Sequence, residues 1–260
     1  MEDRKADFSR LLQIMDELRE GCPWDRKQTI HSLRPQSIEE LYELTDAITE
    51  ENWKGICEES GDLLLHIVFY ARIAREQQQF TMADVIDGIC EKLIARHPHI
   101  YGDVEVSGEE EVKSNWEKLK LKEGKKSVLE GVPKAMPALP QAVRIQEKAA
   151  QVGFEWEQTE AVLEKVREEM AELQEAVDSG DQQQIAAELG DVLFSIVNYA
   201  RFLKVDPEDA LSRTNRKFMG RFQQMEQQLQ QGNRSFSDMT LAEMDVLWEQ
   251  AKRAENTVQK

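Results

Sequence analysis

Long apolar runs are missing from this 260-residue chain. No stretch approaches the roughly 20 apolar residues that a membrane-crossing helix requires. The opening MEDRKADFSRLLQIMDELRE reads as an amphipathic helix without the apolar core of an export signal, so no membrane partner and a cytoplasmic location are expected. Cysteine is scarce as well. Cys22, Cys57 and Cys90 all lie in the first half, are odd in number and form no CxxC pair, which argues against a disulfide framework and for reduced thiols. Basic residues are outnumbered, 33 Lys and Arg against 50 Asp and Glu, and the net charge of -17 argues against a nucleic-acid or anionic-membrane surface while leaving room for a local basic pocket. None of the four histidines, His31, His66, His97 and His99, has Glu three residues before it, so the Glu-x-x-His element of di-iron bundles is absent. Alternating β-branched segments are few.

What is present reads as helix: long segments rich in Glu, Gln, Lys, Leu and Ala, with apolar residues three and four apart. The expected fold is therefore all-α. Pro133, Pro137 and Pro140 follow the polar KEGKKS, and proline both removes an amide donor and disfavours helix in the residue before it. A linker over residues 123–140 is expected between helical domains at 1–122 and 141–260. These halves repeat one plan. EESGDLLLHIVFYARI (58–73) and AELGDVLFSIVNYARF (187–202) agree at 9 of 16 positions with a constant offset of 129. In the first, Leu64, Ile67, Val68 and Ala71 form an apolar stripe, and Leu193, Ile196, Val197 and Ala200 form its counterpart. IEELYEL precedes one and REEMAEL the other, a basic segment follows each, and each half then reaches a Trp-Glu pair at Trp116 and Trp248. Bundles of so few helices have thin cores, which a second copy of the chain would thicken, so a homodimer is expected.

The acids repeat most faithfully. Glu39, Glu40 and Glu43 share a sector of roughly 100° on one helix, and Glu59 and Asp62 share a face of the next. Glu168, Glu169, Glu172, Glu188 and Asp191 reproduce every internal spacing. Acids on one helix are most often a solvated face, but two sets in the same order and register point to a shared task. Carboxylates brought together on packed helices raise one another's pKa values unless a cation neutralises them. Hard divalent ions take such oxygen ligands, and Mg2+ shares its remaining positions with water and phosphate. Near each set stands a basic pair one helical turn apart, Lys92 with Arg96 and Lys217 with Arg221. Metal on one side and cations on the other would clamp a polyphosphate.

GCPWDRKQT, IEELYELTDAI, EESGDLLLHIVFYA, KLIARHPHIY, VGFEW, AELGDVLFSIVNYAR and LWEQAKR together resemble the MazG family of nucleoside triphosphate pyrophosphohydrolases, over nearly the whole chain. The resemblance implies two tandem MazG-like helical bundles in a homodimer. It implies Mg2+-dependent hydrolysis of ribo- and deoxyribonucleoside triphosphates to monophosphate and pyrophosphate, by metal-activated water attacking the α-phosphorus, with Mn2+ as a substitute ion. Carried onto this sequence, Glu169, Glu172, Glu188 and Asp191 would be metal ligands, with Glu168 orienting the water. Lys217 and Arg221 would contact phosphate, and Trp248, Phe154 and Trp156 would enclose the nucleotide. In the first half Glu40, Glu43, Glu59 and Asp62 keep the ligand pattern, Glu39 answers Glu168, and Lys92 and Arg96 answer the basic pair. Two departures stand out. Gln184 occupies a position where some relatives are basic, and the proline in RHPHIY should end the first basic helix early. The C-terminal site is accordingly expected to be the main catalyst. The alternatives are a base-selective hydrolase of the dUTP or dCTP type and a non-catalytic acidic scaffold that binds a partner protein.

Overall fold

The computed structural model describes residues 8–108, 111–112, 115, 127–232 and 234–258. Trp116 and the start of the expected linker lie outside the described residues. No strand occurs among the described residues, so the chain is all-α. It divides into two compact units, Met1–Trp116 and Glu117–Lys260.

Unit 1 contains α1 (Phe8–Gly21), α2 (Ile30–Thr49), α3 (Trp53–Glu76), α4 (Met82–Arg96) and a single turn, α5 (Pro98–Tyr101). Its helix starts are written in side chains that accept from the first free amides. Thr29 and Ser32 form a reciprocal capping box at α2, Thr81 and Asp84 form another at α4, and the Asn52 side chain accepts from Gly55 N–H at α3. The connection over residues 50–52 folds α2 and α3 into a hairpin, and α1 packs on α3. Met15, Leu33, Val68, Phe69 and Ile73 close the core. Arg19 is buried beside them: its guanidinium stands 5.7 Å from the Phe69 ring centre, donates to both Glu76 carboxylate oxygens at 2.9 Å, and reaches the carbonyl oxygens of Asp25 and Gln28.

Unit 2 repeats the hairpin with α7 (Thr159–Ser179) and α8 (Gln182–Phe202), preceded by α6 (Ala138–Ala150) and followed by α9 (Pro207–Gln231) and α10 (Leu241–Val258). Gly180, at φ 76, closes α7 in the left-handed region that glycine adopts without strain, and the Asp181 carboxylate then caps α8. Asp206 caps α9, and Pro207 takes the first helical position, where no amide donor is needed. Helix α6 packs against α8 and α9, and α10 lies on α9. Val162, Ala176, Val192, Val197, Met225, Leu229 and Ala251 are buried.

The apolar stripes expected on the repeated helices are split by the fold. Val68, Ala71 and Val197 face the cores, whereas Leu64, Ile67, Leu193 and Ile196 are exposed within one chain. Helix α4 has no buried residue, and Ile86, Ile89, Leu93 and Ile94 all stand at its surface.

Candidate metal and nucleotide site

In each unit the helical hairpin brings carboxylates from its two arms together. Glu40 and Glu43 on α2 meet Glu59 on α3, and Glu169 and Glu172 on α7 meet Glu188 on α8; in each group one carboxylate oxygen per residue lies within 4.8 Å of the others. Positions three apart on one helix share a face, and pairing the arms places the third acid opposite. Asp62 and Asp191 stand outside these triplets. Asp62 is near enough for its charge to raise the pKa of Glu40 and Glu59, and Asp191 lines the cavity described below.

The crowding is visible electrostatically. Glu40 is held above the ordinary carboxylate value by desolvation first, then by the charges of Asp62, Glu43 and Glu39. Glu59 is raised by desolvation and by Glu43, Glu40, Asp62 and Glu58. In unit 2 Glu172 is raised by desolvation and by Glu169, Glu188 and Glu168, with Lys165 opposing. Lys165 is the residue that sequence reading missed. Its Nζ lies 2.7 Å from Glu169 and 2.9 Å from Glu168, and these hydrogen bonds raise its own pKa. The signal was legible, since Lys165 precedes Glu169 by one helical turn. At the matching place in unit 1 stands Gln36.

The basic pairs take different settings. Lys217 is exposed on α9, while Arg221 Nε donates to Glu255 at 2.7 Å and its guanidinium stands 5.5 Å from the Trp248 ring centre. Trp248 is half-buried and also meets Phe218, with ring centres 5.0 Å apart. Lys92 is exposed and Arg96 half-buried at the end of α4. That helix stops at Arg96, and Pro98 opens α5, so the basic helix is cut short as the proline implied. Exposed Glu39 and Glu168 flank their triplets. Gln184 is engaged in the cap of α8, where its N–H donates to Asp181 and its side-chain oxygen accepts from Ser179.

Unit 2 also contains a cavity of about 420 Å3, whose lining includes Glu169, Asp191 and Lys165 together with Phe154, Trp156, Ile145 and Phe194. Phe154 and Trp156 stand largely in the open, 79% and 42% exposed, so their rings are available surface rather than core. Trp248 is not among the residues lining this cavity.

The profile of the MazG nucleotide pyrophosphohydrolase domain matches residues 28–101 and 157–225, which are the two acid-bearing hairpins with the helices that follow them. The chain belongs to the MazG family. Both MazG stretches contain a complete acid triplet. A protein of Thermotoga maritima named nucleoside triphosphate pyrophosphohydrolase/pyrophosphatase MazG is 47% identical over 255 residues, covering 96% of this chain and 97% of that protein. A nucleoside triphosphate pyrophosphohydrolase of Escherichia coli is 39% identical over 259 residues, covering 95% of this chain and 98% of that protein. A solved structure, that of a mazG-related protein from Thermotoga maritima, aligns with 44% of this chain and 98% of its own at 26% identity and a TM-score of 0.39.

Proposed function

We propose that the chain hydrolyses ribo- and deoxyribonucleoside triphosphates to the monophosphate and pyrophosphate, chiefly in unit 2. The observation that carries this reading is that Glu169 belongs both to a carboxylate triplet and to the wall of a cavity of nucleoside size, in a chain of the MazG family. Oxygen-only donors, held close at a cost visible in raised pKa values, suit Mg2+, with Mn2+ as its substitute. Glu169, Glu172, Glu188 and Asp191 would hold the ion in unit 2, and Glu40, Glu43, Glu59 and Asp62 in unit 1. When bound, the ion supplies activation of water and neutralisation of phosphate charge.

The remaining tasks fall to this chain's own side chains. Glu168 accepts a hydrogen bond from the water that attacks the α-phosphorus, as Glu39 would in unit 1. The bond from that phosphorus to its bridging oxygen breaks, and pyrophosphate departs. Lys217 and Arg221 hold the departing charge, which a chain of net charge -17 would otherwise repel. Arg221 is oriented for this by Glu255 and Trp248. Phe154 and Trp156 cover the nucleoside. Lys92 and Arg96 are the weaker counterparts, because α4 ends at Arg96. The exposed Leu64, Ile67, Leu193 and Ile196 support a homodimer, whose partner copy would cover them. No helix among the described residues is long and apolar enough to cross a membrane.

The test is purified protein with each common nucleoside triphosphate, with and without Mg2+, assayed for monophosphate and pyrophosphate. Turnover across bases that EDTA abolishes is expected. Turnover of one base alone would establish the base-selective alternative. Metal binding without turnover would establish the scaffold.

A further inference from the structure

Lys165 stands one helical turn before the acids that α7 delivers to the hairpin, and its Nζ lies 2.9 Å from Glu168 Oε1 and 2.7 Å from Glu169 Oε1. Its charge reaches further, to Glu172, where it opposes the upward push of Glu169, Glu188 and Glu168 on that carboxyl. A single ammonium therefore acts on both α7 members of the unit 2 triplet. An ion pair one turn apart on an open helix surface is ordinarily worth little. This one is sheltered, because the Glu169 side chain is only 9% exposed and that of Lys165 34%. Lys165 also lines the cavity, together with Glu169 and Asp191.

Unit 1 is an internal control. The offset of 129 sets Lys165 on Gln36, and sets Glu168, Glu169, Glu172 and Glu188 on Glu39, Glu40, Glu43 and Glu59. The charges that act on Glu40 come from Asp62, Glu43 and Glu39, and those that act on Glu59 come from Glu43, Glu40, Asp62 and Glu58. All of these are carboxylates. The two triplets thus have the same acids at the same spacing, and unit 2 adds one positive charge.

We infer that Lys165 is the resident counter-cation of the unit 2 triplet and makes Mg2+ bind there more weakly than at the unit 1 triplet. The inference rests on the reading of both triplets as ion sites. A dication and an ammonium that share Glu169 repel each other, and either one relieves the crowding of the carboxylates. With Lys165 in place part of that relief exists before the ion arrives, so the ion gains less by binding. Unit 2 is thereby the site that exchanges its ion, and unit 1 the site that retains it.

The experiment titrates the full chain with Mn2+ in the absence of nucleotide and reads free Mn2+ by electron paramagnetic resonance. Glu43→Gln with Glu59→Gln leaves unit 2 to be read alone, and Glu172→Gln with Glu188→Gln leaves unit 1. Unit 2 is expected to bind about tenfold more weakly, the scale of one positive charge beside a dication under solvent screening. Lys165→Gln, which installs the unit 1 residue, should tighten unit 2 by about that factor, Lys165→Arg should leave it as in the wild type, and Gln36→Lys should weaken unit 1. Damage to a fold loosens a metal site, so tightening is a result that a merely structural role for Lys165 would not give. Unchanged or weaker binding in Lys165→Gln would overturn the inference, as would equal affinities of the two units or a unit 2 that takes up no Mn2+ in either form. Should Lys165→Gln fail to fold, Gln36→Lys decides, and an unchanged unit 1 affinity overturns the inference. Pyrophosphate release, assayed separately, distinguishes this inference from the hydrolase reading. Tightening by Lys165→Gln in a protein that turns over no triphosphate refutes the hydrolase and keeps the counter-cation; turnover with affinities that ignore residue 165 does the reverse.

Discussion

Glu169→Gln removes one charge from the unit 2 triplet while keeping the shape of the side chain, and its consequences can be worked from the contacts. The Glu169 side chain is 9% exposed, and its Oε1 lies 2.7 Å from Lys165. Lys165 is not orphaned by the change, because Glu168 still faces it at 2.9 Å. One ion pair is lost and two carboxylate repulsions are relieved, so metal-free stability should shift by no more than about 1 kcal/mol. Metal-linked stability behaves differently. Mg2+ at a hundred times its wild-type Kd stabilises the folded unit by about 2.7 kcal/mol. Loss of a ligand that weakens binding on the order of a hundredfold leaves about 0.4 kcal/mol at the same concentration. At roughly 3 °C per kcal/mol for a unit of this size, the Mg2+-induced rise in Tm falls from about 8 °C to about 1 °C. Differential scanning calorimetry with and without MgCl2 reads this directly, and Glu40→Gln assigns the transitions by altering unit 1 alone. A Glu169→Gln protein whose transition still rises by the wild-type amount would refute the claim that the triplet holds the ion.

Lys217→Ala should lower kcat/KM for triphosphates by about 10- to 100-fold, the value of one charge-assisted contact, measured by pyrophosphate release; an unchanged kcat/KM would remove Lys217 from the phosphate site. Leu33→Ala, at a fully buried position of the unit 1 core, should cost about 2–5 kcal/mol in unfolding experiments while turnover in unit 2 persists; parallel loss of both would contradict the division of labour. Asp191→Asn should reduce turnover far more than Asp62→Asn, and equal losses would refute the ranking of the two sites. For pH dependence, the hydrogen-bonded Arg19 guanidinium holds Glu76 below its ordinary 4.5 against partial burial, with Arg72 and Arg75 assisting. A carboxyl with a depressed folded pKa contributes stability above its unfolded value and loses it as pH falls through the folded one. The Tm gap between wild type and Glu76→Gln should therefore be full at pH 7 and shrink below 4.5; a gap of constant size down to pH 3 would show that the pair is not what stabilises unit 1.

Helix type and placement were legible because their causes are local. Thr29, Thr81, Asp181 and Asp206 cap the helices they precede, and the proline at 98 cuts α4 where it should. Burial was less legible. The stripe through Leu64, Ile67, Val68 and Ala71 identifies a helix but not which part of its apolar surface meets its own unit. Packing of α1 and α2 against α3 selects Val68, Phe69 and Ile73 and leaves Leu64 and Ile67 outside. Periodicity reports the angle of a side chain about its own axis, and the partner surface is set by elements distant in sequence.

The site divides in the same way. Carboxylate convergence was legible because spacing on two arms of one hairpin determines it, and three of the four acids expected to act as ligands in each half do meet. The cavity was not legible, since it depends on what α6 places against α8. Gln146 and Met15 occupy the same register and look equally unremarkable in a helical segment. Their neighbours decide their fates: Phe69 fills the space beside Met15, whereas Asn198, bent back to Arg201, leaves the space beside Gln146 open. Duplication preserved the acids in both halves, and in unit 2 a cavity stands against the triplet. Carboxylates alone can retain a metal ion, but orienting a nucleotide for attack at its α-phosphorus also requires walls that hold the nucleoside. With Met15 and Phe69 closed into its core and its triplet intact, unit 1 is expected to bind Mg2+ and to turn over poorly. Met15→Gln with Phe69→Asn would reopen space at the cost of core packing without supplying the Phe154 and Trp156 faces, so neither substitution should restore turnover to a chain whose unit 2 is silenced by Asp191→Asn.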